Sequence, residues 1–155
     1  MSNASNPEID AKIISGLNSL LADAVVFRYK LQNYHWNVRG RQFFELHAQF
    51  ETLYTAWTGH IDDIAERVRA KEAAPLATLA RCLEHTRIAE EEGTPHDKQM
   101  VERVVADLLT IHKSVRDVIE DGESAGDRTT VNLLDGIGDE IEKNVWMLRA
   151  WHHGS

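Results

Sequence analysis

The sequence predicts an all-α fold: a four-helix bundle with a short extra helix in the long connection between helices 2 and 3. Three observations point there. Apolar residues recur at alternating intervals of four and three along four separate stretches, the spacing of a helix with one buried face. The second and third stretches are joined by a connection long enough to hold a short helix of its own. A chain of 155 residues, 43% hydrophobic and 27% charged, suits one domain that buries about 70% of its unfolded surface.

Taken in order, residues 1–8 read as a short flexible tail and 9–152 as the domain. The first helix, about 9–37, is set by Ile13, Leu17, Leu20, Ala24, Phe27, Leu31 and Tyr34, and it delivers His35 at its end. After the turn Val38-Arg39-Gly40-Arg41-Gln42, the second, about 42–71, carries Phe43, Leu46, Phe50, Tyr54, Trp57, Ile61, Ile64 and Val68. Ala73-Ala74-Pro75 closes it, and 76–84 forms the short helix. The run Glu90-Glu91-Glu92 reads as a solvated surface. Met100, Val104, Leu108, Ile111, Val115 and Val118 define the third long helix, about 96–121, which should stop before Gly122 as its C-cap. The fourth begins at 127–130, packs through Val131, Leu134, Ile137, Ile141, Val145 and Leu148, and ends near Trp151. His96 and His112 have no carboxylate at ligand spacing and read as surface or capping groups.

Composition excludes several classes. The single cysteine, Cys82, leaves no internal disulfide framework and reads as packing. No stretch approaches the ~18 apolar residues of a membrane span. The first residues lack the basic-then-apolar pattern of a secretory leader, so no membrane association and a cytoplasmic location are expected. A formal net charge of −8, with no basic side chain before Lys12, argues against direct DNA binding, because non-specific grip on DNA comes from cations neutralising phosphates. Such a surface attracts cations.

Chemistry concentrates between His35 and Arg67. His47 and Asp62 are fifteen residues apart, about 22 Å along a straight helix, so no single ion touches both within one chain. Their directions nevertheless differ by only about 60°, and Glu51, Asp62 and Glu66 share a sector of similar width. Two copies of this helix, antiparallel about an axis between Ala56 and Trp57, would set His47 beside Asp62 and Glu66 of the partner subunit and create two identical sites. Gly59 lies near that axis, where it could let the backbones approach. No histidine has a glutamate three residues before it, which argues against a di-iron site inside one bundle. Imidazole with carboxylate suits iron(II), zinc, manganese or cobalt. Taken singly, each of these residues is as readily a helix cap or a solvated charge.

Their combination is more specific. His35-Trp36-Asn37-Val38-Arg39-Gly40, then Phe43, Leu46-His47, Phe50-Glu51, Tyr54, and Asp62 through Ala65-Glu66-Arg67 resemble, in order and spacing, the central pattern of the Dps family, the mini-ferritins also called starvation-induced DNA-binding proteins. The resemblance runs from about Leu17 to Trp151 and includes the connection at 75–79 and Trp146. It implies a ferritin-like bundle assembled from two-fold dimers into a hollow homo-dodecamer. It also implies a ferroxidase that oxidises Fe(II), preferentially with hydrogen peroxide, and stores the Fe(III) mineral, protecting the cell from oxidative damage.

By this resemblance the catalytic ligands are His35 and His47 of one subunit with Asp62 and Glu66 of the partner subunit, and Glu51 is a further metal ligand. Zn(II) fits the same donors. Trp36 reads either as packing or as an electron donor beside the oxidising iron. Glu123, Asp127 and Asp135 are the candidates for an acidic pore, although Arg128 and Asn132 stand where related proteins carry aspartate. Two other readings stay open: a DNA-condensing shell, which calls for a basic tail, and a zinc-buffering shell with little redox turnover.

Overall fold

The structure, a computed structural model, describes residues 6–154. Among them are four long helices, α1 (Pro7–Asn37), α2 (Phe43–Ala70), α4 (Asp97–Ala125) and α5 (Arg128–Gly154), and one short one, α3 (Leu79–His85), with no strand. Their apolar faces meet in one core, where Phe27 of α1 and Trp57 of α2 pack edge to face at 5.3 Å. None of these helices is long and apolar enough to cross a membrane.

α1 begins earlier than the apolar pattern alone suggests. Asn6 accepts a hydrogen bond from the Glu8 amide at 3.1 Å, Pro7 takes the first turn, and Glu8 and Asp10 meet the positive end of the helix dipole. Pro7 and Glu8 are therefore helical and not part of a tail; residues 1–5 of the expected tail lie outside the described residues. At its other end Val38 turns to φ −60°, ψ 142°, and its amide bonds Tyr34 O at 2.9 Å. The chain then reverses through Gly40 at φ +121°, a conformation that any side chain would strain.

The long connection is held to α1 by two polar side chains, one of them fully buried. Asn18 uses both ends of its amide, donating to Ala74 O at 3.1 Å and accepting from Leu76 N at 3.0 Å. Fully buried Asp23 accepts from Thr86 Oγ1, the Arg87 amide and the Arg87 guanidinium at 2.9, 2.8 and 2.5 Å. α3 starts three residues later than the sequence pattern implies because Thr78 caps it, accepting from Arg81 N at 3.2 Å. Cys82 is buried, and burial pushes its thiol up, as expected for an inert packing residue.

Two expectations are corrected. Glu91 is no solvated charge: its side chain, 9% exposed, accepts from the Tyr34 hydroxyl at 2.6 Å and pairs with Arg103 of α4. Burial alone would raise the Glu91 carboxyl, but the bonds from Tyr34, Arg103 and the Gly93 amide outweigh it and hold the group below its usual range. Burial, reinforced by that carboxylate, pushes the Tyr34 phenol far above its own. Nor is Gly122 the cap of α4. The helix runs on to Ala125 and stops at Gly126, in the left-handed region at φ +70°. Gly122 lies buried inside the helix, where a Cβ would come within 2.9 Å of Val131 Cγ2 on α5, so it permits close approach of the two helices.

Candidate metal centre

The turn between α1 and α2 brings His35 and His47 face to face. Their rings stack with centroids 3.8 Å apart and 14° between planes, and Phe43 lies against the far side of His47 at 5.0 Å. Each Nδ1 lies 2.7 Å from the other residue's backbone carbonyl. A carbonyl only accepts, so both Nδ1 atoms carry a proton, and in the neutral ring each Nε2 keeps a lone pair. Orientation of a ligating imidazole by a bond at its other nitrogen is how proteins set up metal-binding histidines. The His35 carbonyl is one of those that the end of α1 leaves without a helical partner, so the His47 ring also closes that helix. His35 is buried, and Tyr54 packs edge-on against it at 5.3 Å.

Farther along α2, Asp62, Asp63 and Glu66 are exposed and bring one carboxylate oxygen each within 4.8 Å of the others, a spacing that can hold a cation. This is the one such group of three or more His, Cys, Asp or Glu side chains among the described residues, and neither histidine belongs to it. The stretch is anchored at its C-terminal end. Arg67 donates to Thr130 Oγ1 and Asp127 Oδ1, both at 2.9 Å, and Lys71 reaches Asp127 Oδ2 at 2.8 Å, fixing α2 to the start of α5. One chain therefore carries an imidazole pair and a separate carboxylate group.

A model of the ferritin-like domain matches residues 14–153. The chain is 43% identical over 135 residues to the DNA protection during starvation protein of Brevibacillus brevis, covering 87% of this chain and 91% of that one. The crystal structure of a Dps protein from Bacillus brevis superposes with a TM-score of 0.92 at 40% identity, over 94% of this chain and 98% of that one. The chain belongs to the Dps family. A second Dps structure, from Vibrio cholerae O1 and described as a member of a broad superfamily of ferritin-like diiron-carboxylate proteins, gives a TM-score of 0.91 at 33% identity, over 97% and 98% of the two chains.

The other Dps candidates fall out as follows. Glu51 is exposed, and the Tyr54 hydroxyl lies 3.5 Å from its Oε1, which links it loosely to His35 through the Tyr54 ring. Trp36 is 56% exposed and meets only the edge of Tyr29, at 6.4 Å, so it does not pack in the bundle core. Glu123 and Asp135 are exposed, whereas the Asp127 side chain is 10% exposed and committed to Lys71, Arg67 and Thr130. Burial alone would raise the Asp127 carboxyl, but the hydrogen bonds from Lys71 and Thr130 prevail and bring it down to about 2. That commitment makes Asp127 the cap of α5. Gly59 would accept a Cβ with nothing within 4 Å in the chain. Sequence reasoning passed over Asp63, although it lies one position from Asp62 and about 60° around the helix from Glu66.

Proposed function

We propose that this chain is a mini-ferritin ferroxidase whose oxidation sites form between two subunits. The observation that carries the reading is the division of the donors: two imidazoles with their Nε2 atoms free for a metal, and a carboxylate group on the same helix but out of their reach. A two-fold pairing of α2 completes two sites at once, each with His35 and His47 from one chain and Asp62 and Glu66 of the partner subunit. Glu51 supplies a weaker outer ligand. Iron is the substrate here. Hydrogen peroxide accepts one electron from each of two Fe(II) ions and, with two protons, leaves as two water molecules, so no hydroxyl radical escapes. Trp36, exposed beside His35, donates an electron when only one iron is bound.

A groove of ≈ 500 Å³ between α1 and α3 supports the pairing. It is lined by Val25, Tyr29, Leu79 and Leu83 and reaches α2 at Ile61, next to Asp62. Tyr29 and Leu79 are 59% and 74% exposed in the single chain, an apolar surface suited to a second copy. Dimers of this kind close into a dodecamer that holds the Fe(III) mineral, with Glu123 and Asp135 at its acidic pores. The relatives' name refers to DNA protection; in this cytoplasmic protein, of net charge −8, we assign that effect to removal of Fe(II) and peroxide and not to contact with DNA. Zn(II) competes for the same donors.

The test is stopped-flow oxidation of Fe(II) by peroxide in the parent, His47→Ala and Asp62→Ala. Both variants should lose the fast phase, and reassembling a mixture of the two should restore part of it, because some hybrid sites keep every ligand. A parent without a fast phase, or variants that keep it, would sink the reading.

A further inference from the structure

Three of the histidines are held by carboxylates across helices: His60 by Glu140, His112 by Glu142 and His152 by Glu102. His35 and His47 bond backbone carbonyls instead, and no carboxylate orients either ring among the described residues. A bond at Nδ1 fixes one atom of a ring and stacking fixes its plane, yet two stacked rings can still slide over each other. Tyr54 stops that slide. Its ring stands at 78° to that of His35, with the centroids 5.3 Å apart. Tyr54 is itself only half-buried, and the torsion that turns its ring is soft, so it needs a brace of its own. Arg28 of α1 supplies one. Its guanidinium carbon lies over the Tyr54 ring, 5.4 Å from the centre, while Nε donates to Thr58 Oγ1 at 3.1 Å and Nη1 donates to Gln32 Oε1 at 2.8 Å. Thr58 Oγ1 in turn donates to the Tyr54 carbonyl at 2.8 Å, so Arg28 reaches Tyr54 through both its ring and its backbone. Arg28 makes no ion pair with a carboxylate among the described residues. Its planar fork serves a ring face and two neutral acceptors together, which the single ammonium of a lysine would not.

We propose that Tyr54, braced by Arg28, is a positioning residue for the imidazole pair: it holds the His35 ring, and through the stack the His47 ring, in place before a metal arrives. The inference rests on the reading of His35 and His47 as ligands. Rings already fixed lose little freedom when an ion binds, so the gain appears as affinity. Groups that orient ligating histidines without touching the metal change that affinity by about 10–100-fold. Tyr54 acts here through its ring. Its hydroxyl reaches only Glu51, at 3.5 Å, and does not touch either imidazole.

Calorimetric titration of the full-length protein with Co(II), without peroxide, tests it in the parent, Tyr54→Phe, Tyr54→Leu, Arg28→Met and His47→Ala, with circular dichroism to confirm that each is folded. Tyr54→Phe keeps the ring and should bind within about twofold of the parent. Tyr54→Leu should bind about tenfold more weakly and shift the visible absorption of the bound Co(II), and Arg28→Met should follow it in part. Parent-like affinity and absorption in Tyr54→Leu overturn the proposal. So does a loss in Tyr54→Phe equal to that in Tyr54→Leu, which would place the effect in the hydroxyl, and a parent-like Arg28→Met overturns the brace. His47→Ala separates this proposal from the reading beneath it. Unchanged Co(II) binding there removes the ferroxidase reading and the positioning role with it, whereas weakened binding there beside a parent-like Tyr54→Leu removes the positioning role alone.

Discussion

Asp127 shows how much one carboxylate can hold: it caps α5 through Thr130 and takes ion pairs from Arg67 and Lys71 on α2. Its carboxyl lies at about 2, below the ordinary 3.8, so its contribution is fully present above about pH 4 and is lost as pH falls through about 2. A shift of that size is worth roughly 2 kcal/mol. Asp127→Asn should therefore lower stability by about 1–2 kcal/mol near neutral pH and by almost nothing near pH 2. Urea unfolding at both pH values checks this; an equal loss at both would mean that the charge is irrelevant. The ion pairs were not legible in the sequence, because Arg67 and Lys71 lie 60 and 56 residues from Asp127 and carry no periodic signal toward it. The same holds for Tyr34 and Glu91, 57 residues apart, and for His60 and Glu140, 80 apart. The ligand candidates His35, His47, Asp62 and Glu66 were legible because the family pattern is local, running through one turn and one helix.

Helices were legible for the opposite reason, since each long one repeats its apolar signal over many turns. Their ends were less so. Gly122 and Gly126 offer the same stop signal four residues apart, and packing against Val131 decides that the first lies inside the helix. Gly122→Ala should accordingly cost about 1–3 kcal/mol from overpacking, despite the better helix propensity of alanine. Thermal unfolding followed by circular dichroism reads this directly, and an unchanged or higher midpoint would show that α4 and α5 can separate without penalty. The α2–α3 connection was legible in length but not in attachment: Asn18 and Asp23, two polar residues on the buried side of α1, fix where it lies.

For the molecule as a whole, the proposed pairing of two chains rests on the apolar surface left on α1 and α3 and on the separation of the donors. Replacing Leu79 and Leu83 together with aspartate should break the assembly into smaller species in sedimentation velocity and abolish fast peroxide-driven iron oxidation with it. Full oxidation in a dissociated variant would show that one chain suffices. Charge at this scale gives a further expectation. With −8 per chain, the parent should not retard duplex DNA at physiological salt in a gel-shift assay, whereas a retarded band there would overturn the assignment of protection to iron chemistry alone. The proposed pairing of two chains could be argued from helix geometry alone, but the exposed apolar groove could not, because exposure is a property of the folded chain.

In the proposed site His47 serves two masters: its outer nitrogen goes to a metal, while its inner one closes the end of α1. Any change at this position is thus read twice, once by chemistry and once by folding, and the pure ligand defect is hidden inside the alanine variant. Asparagine separates the two duties, because its amide nitrogen can occupy the place of Nδ1 and keep the bond to the His35 carbonyl while presenting nothing outward. An organism that lost its need for the reaction would still be held to a hydrogen-bond donor here, so the imprint of the metal can outlast its use.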